Sequence, residues 1–213
     1  MRRIAFITLS ASTPFFCALA LLWRKGLLLV IESCSQYSSP NGSVSGYYWR
    51  DFDGSIPPDA YAGGIDINSR PIYIAQVYDR FLIPAKLYYN DNTAYYEYGG
   101  KEYGVKQNIK VMALDWPCIT VTLQILCTEH PELFEWISTS NEAINSITGK
   151  YLVKGGYEPG CTTYIGRIRK DGEVLVGKAL ADNLPVHAGL YVTKNQATHH
   201  STKFERLMIY CKS

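Results

Sequence analysis

The sequence predicts an all-β protein built from two tandem antiparallel repeats behind an apolar N-terminal segment, on three observations. Tyrosine is abundant, with 17 residues beside 7 Phe and 4 Trp, and aromatic residues suit a pleated, half-buried surface. Apolar and polar residues alternate with a period of two, as in Tyr73, Ala75 and Val77 against Ile74, Gln76 and Tyr78. The third observation is self-similarity. Gly64 recurs as Gly156, Tyr73 as Tyr164 and Lys86 as Lys178, each about 92 residues on, a fixed spacing that marks duplication.

The first 35 residues stand apart from the repeats. Arg2 and Arg3 precede an apolar run from Ile4 to Trp23, Arg24-Lys25 interrupt it, and Leu27 to Ile31 resume it. A basic start with an apolar stretch reads as a signal peptide or signal anchor, and about 20 apolar residues also suffice for one membrane span. Ser33 and Ser35 offer small residues before a cleavage point after Ser35. Cleaved signal, retained anchor and a start placed too far upstream all stay open. Residues 36–46, rich in Ser, Gly, Asn and Pro, read as a linker. They hold Asn41-Gly42-Ser43, an N-glycosylation pattern that matters only in the secretory pathway.

The first repeat is expected over 47–112 and the second over 133–213, with 113–132 between them. In the first, Gly63-Gly64-Ile65-Asp66 leads across a polar turn into Ile72 to Val77, and a second strand carries Ile83-Pro84-Ala85-Lys86. Asn90-Asp91-Asn92 then turns the chain into Tyr95 to Tyr98. In the second, Gly155-Gly156-Tyr157-Glu158 leads into Thr163 to Ile168, and Val176-Gly177-Lys178 follows. Lys170-Asp171-Gly172 between two such runs is a strong hairpin signal, because both central residues accept positive φ. Trp49 and Trp136 stand upstream of the two glycine pairs.

Several classes are disfavoured. Apolar content of 47% excludes collagen-like and disordered chains. With 21 basic against 19 acidic residues, no stripe of charge points to nucleic acid. His130, His187, His199 and His200 lack metal-ligand spacing, and the sequence holds no nucleophile elbow, phosphate loop or zinc-protease motif. Asp66 and Glu158 occupy equivalent repeat positions, so they read as two like sites rather than an acid and a nucleophile. An enzyme is not expected, and neither is a cofactor or a metal. Cleavage after Ser35 leaves Cys118, Cys127, Cys161 and Cys211. An extended strand from Cys118 to Cys127 would hold their Cα atoms about 30 Å apart, against the roughly 6 Å of a disulfide. Bridges would therefore run to Cys161 or Cys211, unless all four are free thiols.

These ordered elements resemble the DM-nine repeat family, also met as the lectin module of natterin-like toxins. The first repeat carries Trp49, Ile56-Pro57-Pro58-Asp59-Ala60, Gly63-Gly64-Ile65-Asp66, Ile72-Tyr73-Ile74-Ala75, Ile83-Pro84-Ala85-Lys86 and Gly99-Gly100-Lys101-Glu102. The second carries Trp136, Gly155-Gly156, Tyr164-Ile165-Gly166-Arg167, Gly177-Lys178 and Gly189-Leu190-Tyr191-Val192. The resemblance implies two repeats paired about a pseudo-twofold and a mannose-binding lectin of innate pattern recognition. It places sugar contacts on Asp66 and Lys86, and on Glu158 and Lys178; apart from the resemblance, Glu102 is read as a supporting residue for Lys86 or Lys101. The implied partners are mannose-containing glycans of microbial surfaces and a second copy of the chain, and the implied location is secreted. The departures are Glu158 for Asp, Ala85 for Gly, Asn195 to His200 in place of Gly-Lys-Glu, and an apparent insertion over 112–124. Those in the second repeat weaken its site relative to the first.

The chemistry fits such a role, since a carboxylate and an ammonium make charge-assisted bonds to neighbouring sugar hydroxyls. The opposing reading is an exposed Asp–Lys pair of little energetic consequence, with the tyrosines packing across strands. A second function remains open: a vesicle- or membrane-associated stress or interaction protein, without a sugar ligand, held by an uncleaved segment 4–23.

Overall fold

The computed structural model describes residues 46–106, 110–111, 119–140, 150–180 and 188–210. The N-terminal apolar segment, all of the linker but Gly46, Asn41, Cys118 and Cys211 lie outside the described residues. No helix among the described residues is long and apolar enough to cross a membrane.

The described chain is antiparallel β, as composition and alternation predict. The first repeat contributes β1 (Tyr48–Asp51), β2 (Ala62–Ile65), β3 (Pro71–Asp79), β4 (Phe81–Tyr88), β5 (Thr93–Tyr98) and β6 (Lys101–Lys106). A two-stranded ladder of β7 (Lys110–Val111) and β8 (Ile119–Thr120) follows, then β9 (Thr122–Cys127). A 3-10 turn at Pro131–Leu133 opens the second repeat. Its strands are β10 (Phe134–Ser140), β11 (Lys150–Leu152), β12 (Lys154–Glu158), β13 (Cys161–Lys170), β14 (Glu173–Leu180), β15 (Gly189–Lys194), β16 (Ala197–Ser201) and β17 (Lys203–Tyr210).

Strand pairing is reciprocal between the repeats. The main path runs β1-β9-β3-β2-β14-β13-β12-β4-β5-β6. Thus β2 joins its own β3 to β14 of the other repeat, while β12 joins its own β13 to β4 of the first. The second glycine of each pair sits at these junctions. A Cβ on Gly64 would overlap the carbonyl oxygen of Val174, and one on Gly156 would overlap that of Leu82. The glycines therefore admit a neighbouring strand of the other repeat; the space beside them is filled by protein backbone.

Two sequence expectations are corrected here. Residues 113–132 are not wholly a connection, because β9 is the closing strand of the first repeat. It pairs Trp49 with Leu126 on β1 and Ala75 with Ile125 on β3. In the same way β17 pairs Trp136 with Leu207 on β10 and Gly166 with Arg206 on β13. The insertion read over 112–124 therefore ends before β9; residues 112–118 lie outside the described residues. The turn Asn195-Gln196 also proves equivalent to Gly99-Gly100. Both pairs have positive φ and close two-residue hairpins between Lys194 and Ala197, and between Tyr98 and Lys101. The Asp171-Gly172 hairpin forms as expected, with both residues at positive φ.

Alternation divides buried apolar side chains among the described residues into three clusters. Ala75 and Val77 of β3 pack with Phe52, Ile83, Leu123 and Ile125 inside the first repeat. Ile74, one residue out of phase, joins Leu126, Ile165, Val176 and Leu207 in a cluster drawn from both repeats. A third cluster joins Ile72 of the first repeat to Leu175, Leu190 and Phe204 of the second. Separating the repeats would expose these shared side chains at about 1.5–3 kcal/mol each, so the two halves stabilise each other.

Candidate functional site

Lys178 lies in β14, opposite Ile165 on β13 and Tyr191 on β15. The position is interior to the sheet, and its side chain is only 4% exposed. A buried ammonium is costly unless paired, and this one is held from three directions. Nζ donates to Glu97 Oε2 at 2.7 Å, to the Glu97 carbonyl at 3.3 Å, and to Glu158 Oε1. The rings of Tyr191 and Tyr98 lie 5.5 Å and 6.0 Å from it, within range of cation–π attraction. Glu158 and Lys178, both expected from the sequence, are thus brought into contact. Glu158 retains 13% exposure, and the neighbouring Tyr157 is well exposed.

The corresponding Lys86 is arranged differently. It lies in β4 opposite Ile74 and Tyr95 and is almost wholly buried. Its Nζ donates to the Thr193 carbonyl, to Thr193 Oγ1 at 2.6 Å and to Glu102 Oε1 at 3.3 Å. The rings of Tyr95 and Tyr88 flank it at 5.7 Å and 5.9 Å. Burial lowers its pKa to about 8, against the opposing pull of Glu102. Glu173 and Lys194, an ion pair at 3.2 Å, complete the surroundings, and Tyr88 donates to the same Glu173 oxygen. The Tyr88 hydroxyl is pushed well up by burial and by Glu173.

Asp66 does not bond Lys86. Its Oδ1 accepts from the backbone N–H groups of Asn68 and Arg70, each at 2.8 Å, and its Oδ2 accepts from the Arg70 guanidinium at 2.7–2.8 Å. An Asp bonding its own backbone two residues on is a turn-forming device. Burial works against its ionised form, but the Arg70 and Asn68 hydrogen bonds prevail and hold its pKa below the usual value. The reading of an exposed ion pair is also corrected for both lysines, whose ammonium groups are enclosed. The second repeat, not the first, joins its acidic residue to its lysine.

Glu102 bonds Lys86, and Glu97, Thr193, Glu173 and Lys194 complete the two networks without having been singled out beforehand. One signal was available for Glu97 and Thr193. Each stands among aromatic or aliphatic neighbours at a buried position of its strand, and a buried polar group needs a hydrogen-bond partner. The sequence offered nothing to identify those partners.

Elsewhere, a groove of about 630 Å³ is lined by Gly63, Gly64, Arg167, Arg169 and Glu205. Arg167 is already engaged, bonding Glu205 at 2.7 Å and stacking 4.2 Å above Trp136. Its counterpart in the first repeat is the neutral pair Gln76–Gln124, at 2.6 Å. Cys127 and Cys161 are free thiols. Burial raises the Cys127 thiol to about 11, which disfavours the thiolate at neutral pH. Among the described residues no cluster of His, Cys, Asp and Glu is disposed to hold a metal.

No protein-family model matches the chain, and no curated protein matches it. The fold is similar to the crystal structure of the nematode sperm cell motility protein MFP2B, with a TM-score of 0.51 and 17% identity. That likeness covers 78% of this chain and 47% of MFP2B, so the chain spans about half the length of that protein. At this identity the likeness shows the fold alone.

Proposed function

We propose that this protein is a non-catalytic carbohydrate-binding protein of the DM-nine type, secreted and recognising mannose-type glycans on microbial surfaces. The observation that carries the reading is the contact of Glu158 with Lys178 among the rings of Tyr98 and Tyr191. A partly exposed carboxylate accepts hydrogen bonds from vicinal hydroxyls, an adjoining ammonium donates to a sugar oxygen, and aromatic rings offer apolar faces to the sugar's C–H groups. The charge-assisted bonds are stronger than neutral ones. A ligand meets Glu158 first, because Lys178 is more deeply enclosed. The Lys86 site, with Asp66 committed to its own turn, serves as the second and weaker site. A shallow single-sugar site binds weakly, so useful affinity comes from multivalent engagement.

The test is retention on mannose resin together with a glycan array and a free-mannose competitor. Glu158→Gln leaves the Lys178–Glu97 pair in place, and it is expected to lose most retention without loss of fold. Wild-type retention by Glu158→Gln would exclude the second-repeat site, and wild-type retention by the Asp66→Ala, Lys86→Ala double variant would exclude the first. Wild-type protein that binds no mannose-type glycan on the array would overturn the reading.

A further inference from the structure

Glu97 and Glu102 face each other across the β5–β6 hairpin as register partners. Their side chains share one face, and like charges directly opposite on a sheet repel. Both are nearly buried, at 5% and 8% side-chain exposure. What neutralises them is a lysine apiece, and the two lysines come from different repeats: Lys178 on Glu97 and Lys86 on Glu102. The equivalent hairpin of the second repeat, β15–β16, has Thr193 opposite Thr198 at these positions and supplies no carboxylate. Its hydrogen-bonding contribution to a lysine is Thr193, which accepts from Lys86, and it meets Lys178 through the Tyr191 ring.

We propose that the β5–β6 hairpin is a shared support for both sugar sites, with Glu97 and Glu102 as the residues that position Lys178 and Lys86. The inference rests on the sugar-binding reading for its consequence, though not for its geometry. The support is asymmetric. Lys178 takes one carboxylate from β5 and its second from its own repeat, Glu158. Lys86 is held by β6 and by β15 together. Glu97 also ties the hairpin down, since its Oε1 accepts from the Gly100 N–H at 2.7 Å. Glu102 does the same for the opposing turn, its Oε2 accepting from the Gln196 N–H at 2.6 Å. Disturbing β5–β6 therefore removes a carboxylate contact from both lysines, whereas disturbing β15–β16 removes hydrogen bonds from Lys86 and only a ring contact from Lys178. The two sites are coupled through one element, and a sugar that draws either lysine toward itself leaves a carboxylate uncompensated beside the other.

The experiment follows the two lysine side chains by 13Cε NMR titration of the full chain without sugar, assigned with Lys86→Arg and Lys178→Arg. Glu97→Gln is expected to shift the Lys178 13Cε resonance, whose ammonium loses its partner at 2.7 Å, and Glu102→Gln to lower the Lys86 titration by about one to three units, the usual effect of losing a close opposite charge. Gly99→Pro breaks the left-handed turn conformation at φ +60° where a side chain meets nothing within 4 Å, and it is expected to move both lysines. Asn195→Pro, the same lesion in β15–β16, is expected to move Lys86 more than Lys178, which meets β15 through the Tyr191 ring. Should a proline variant fail to fold, the two Gln variants decide the matter. Glu97→Gln that leaves Lys178 unmoved, or a β5–β6 lesion that moves one lysine only, overturns the shared support. Mannose titrations of the same samples read the consequence: Glu97→Gln weakens binding sensed at Lys178. Absence of mannose binding by the wild-type chain would count against the sugar reading, with the lysine titrations still judging the hairpin.

Discussion

Lys178→Met removes one ammonium from the second-repeat site and keeps the length of the side chain. The loss follows from what is left behind. Glu97, 5% exposed, then faces no cation at its Oε2, while Glu158 still reaches water. Breaking one side of a buried ion pair costs about 3–5 kcal/mol, because the surviving charge is uncompensated. Glu97 can escape part of that by taking a proton. From a reference value near 4.3, protonation at pH 7 costs about 3.7 kcal/mol, at 1.36 kcal/mol per unit. The smaller of the two routes sets the result, so the expected loss at pH 7 is about 3–4 kcal/mol. At pH 5 protonation costs only about 1 kcal/mol, and the deficit shrinks accordingly. In a chain of this size the loss at pH 7 lowers Tm by roughly 10 °C. Urea unfolding of wild type and variant at both pH values is the assay. The Glu97→Gln, Lys178→Met double variant should regain at least about 2 kcal/mol at pH 7, since no buried charge remains unpaired. A variant within about 0.5 kcal/mol of wild type, inside the range of an ordinary surface substitution, would refute the reasoning. So would a loss that is the same at pH 5 as at pH 7.

Two further outcomes are expected. Lys86 titrates near 8 when folded and near 10.5 when unfolded; between those values the unfolded chain binds a proton that the folded chain has released, so this group makes stability rise with pH across that window. Comparison with Lys86→Met should show a wild-type slope more positive by up to about 1.4 kcal/mol per pH unit, and parallel slopes would mean that the lysine titrates normally. Gly64→Ala and Gly156→Ala place a methyl group on the carbonyl of the other repeat and should each cost about 1–3 kcal/mol or more, with Gly156→Ala the worse because its φ is also +154°. Gly100→Asn, at an open turn of φ +80°, should stay within about 1 kcal/mol; equal losses at all three would remove the strand-junction account of the glycine pairs.

How far the sequence could be read depended on how local each interaction is. Strand alternation in Ile72 to Val77 and the Asp171-Gly172 turn are settled by neighbours in the chain, and both formed where expected. The Asp66 turn was equally local, since Asn68 and Arg70 lie two and four residues on, yet a glycine pair beside an acid drew a ligand reading that the backbone itself accounts for. β9 was legible as a strand but not as part of the first repeat, because its partners Trp49 and Ala75 lie far back along the chain. The lysine sites lay further out of reach. Lys178 is completed by a residue 81 positions earlier and Lys86 by one 107 positions later, and the two dependences cross. A repeat read singly shows a lysine with an acidic residue upstream, and self-sufficient sites follow naturally. Once the repeats interleave, each ammonium faces the opposite half, and duplication no longer implies two independent copies of one site. Divergence could then act on the supports: Thr193 and Thr198 stand where the first repeat has Glu97 and Glu102, so all the carboxylate supplied by the two hairpins comes from one of them. A protein whose halves each held a complete site could lose either and keep the other; this one concentrates the requirement in β5 and β6, where one neutralised glutamate alters a lysine of the opposite repeat.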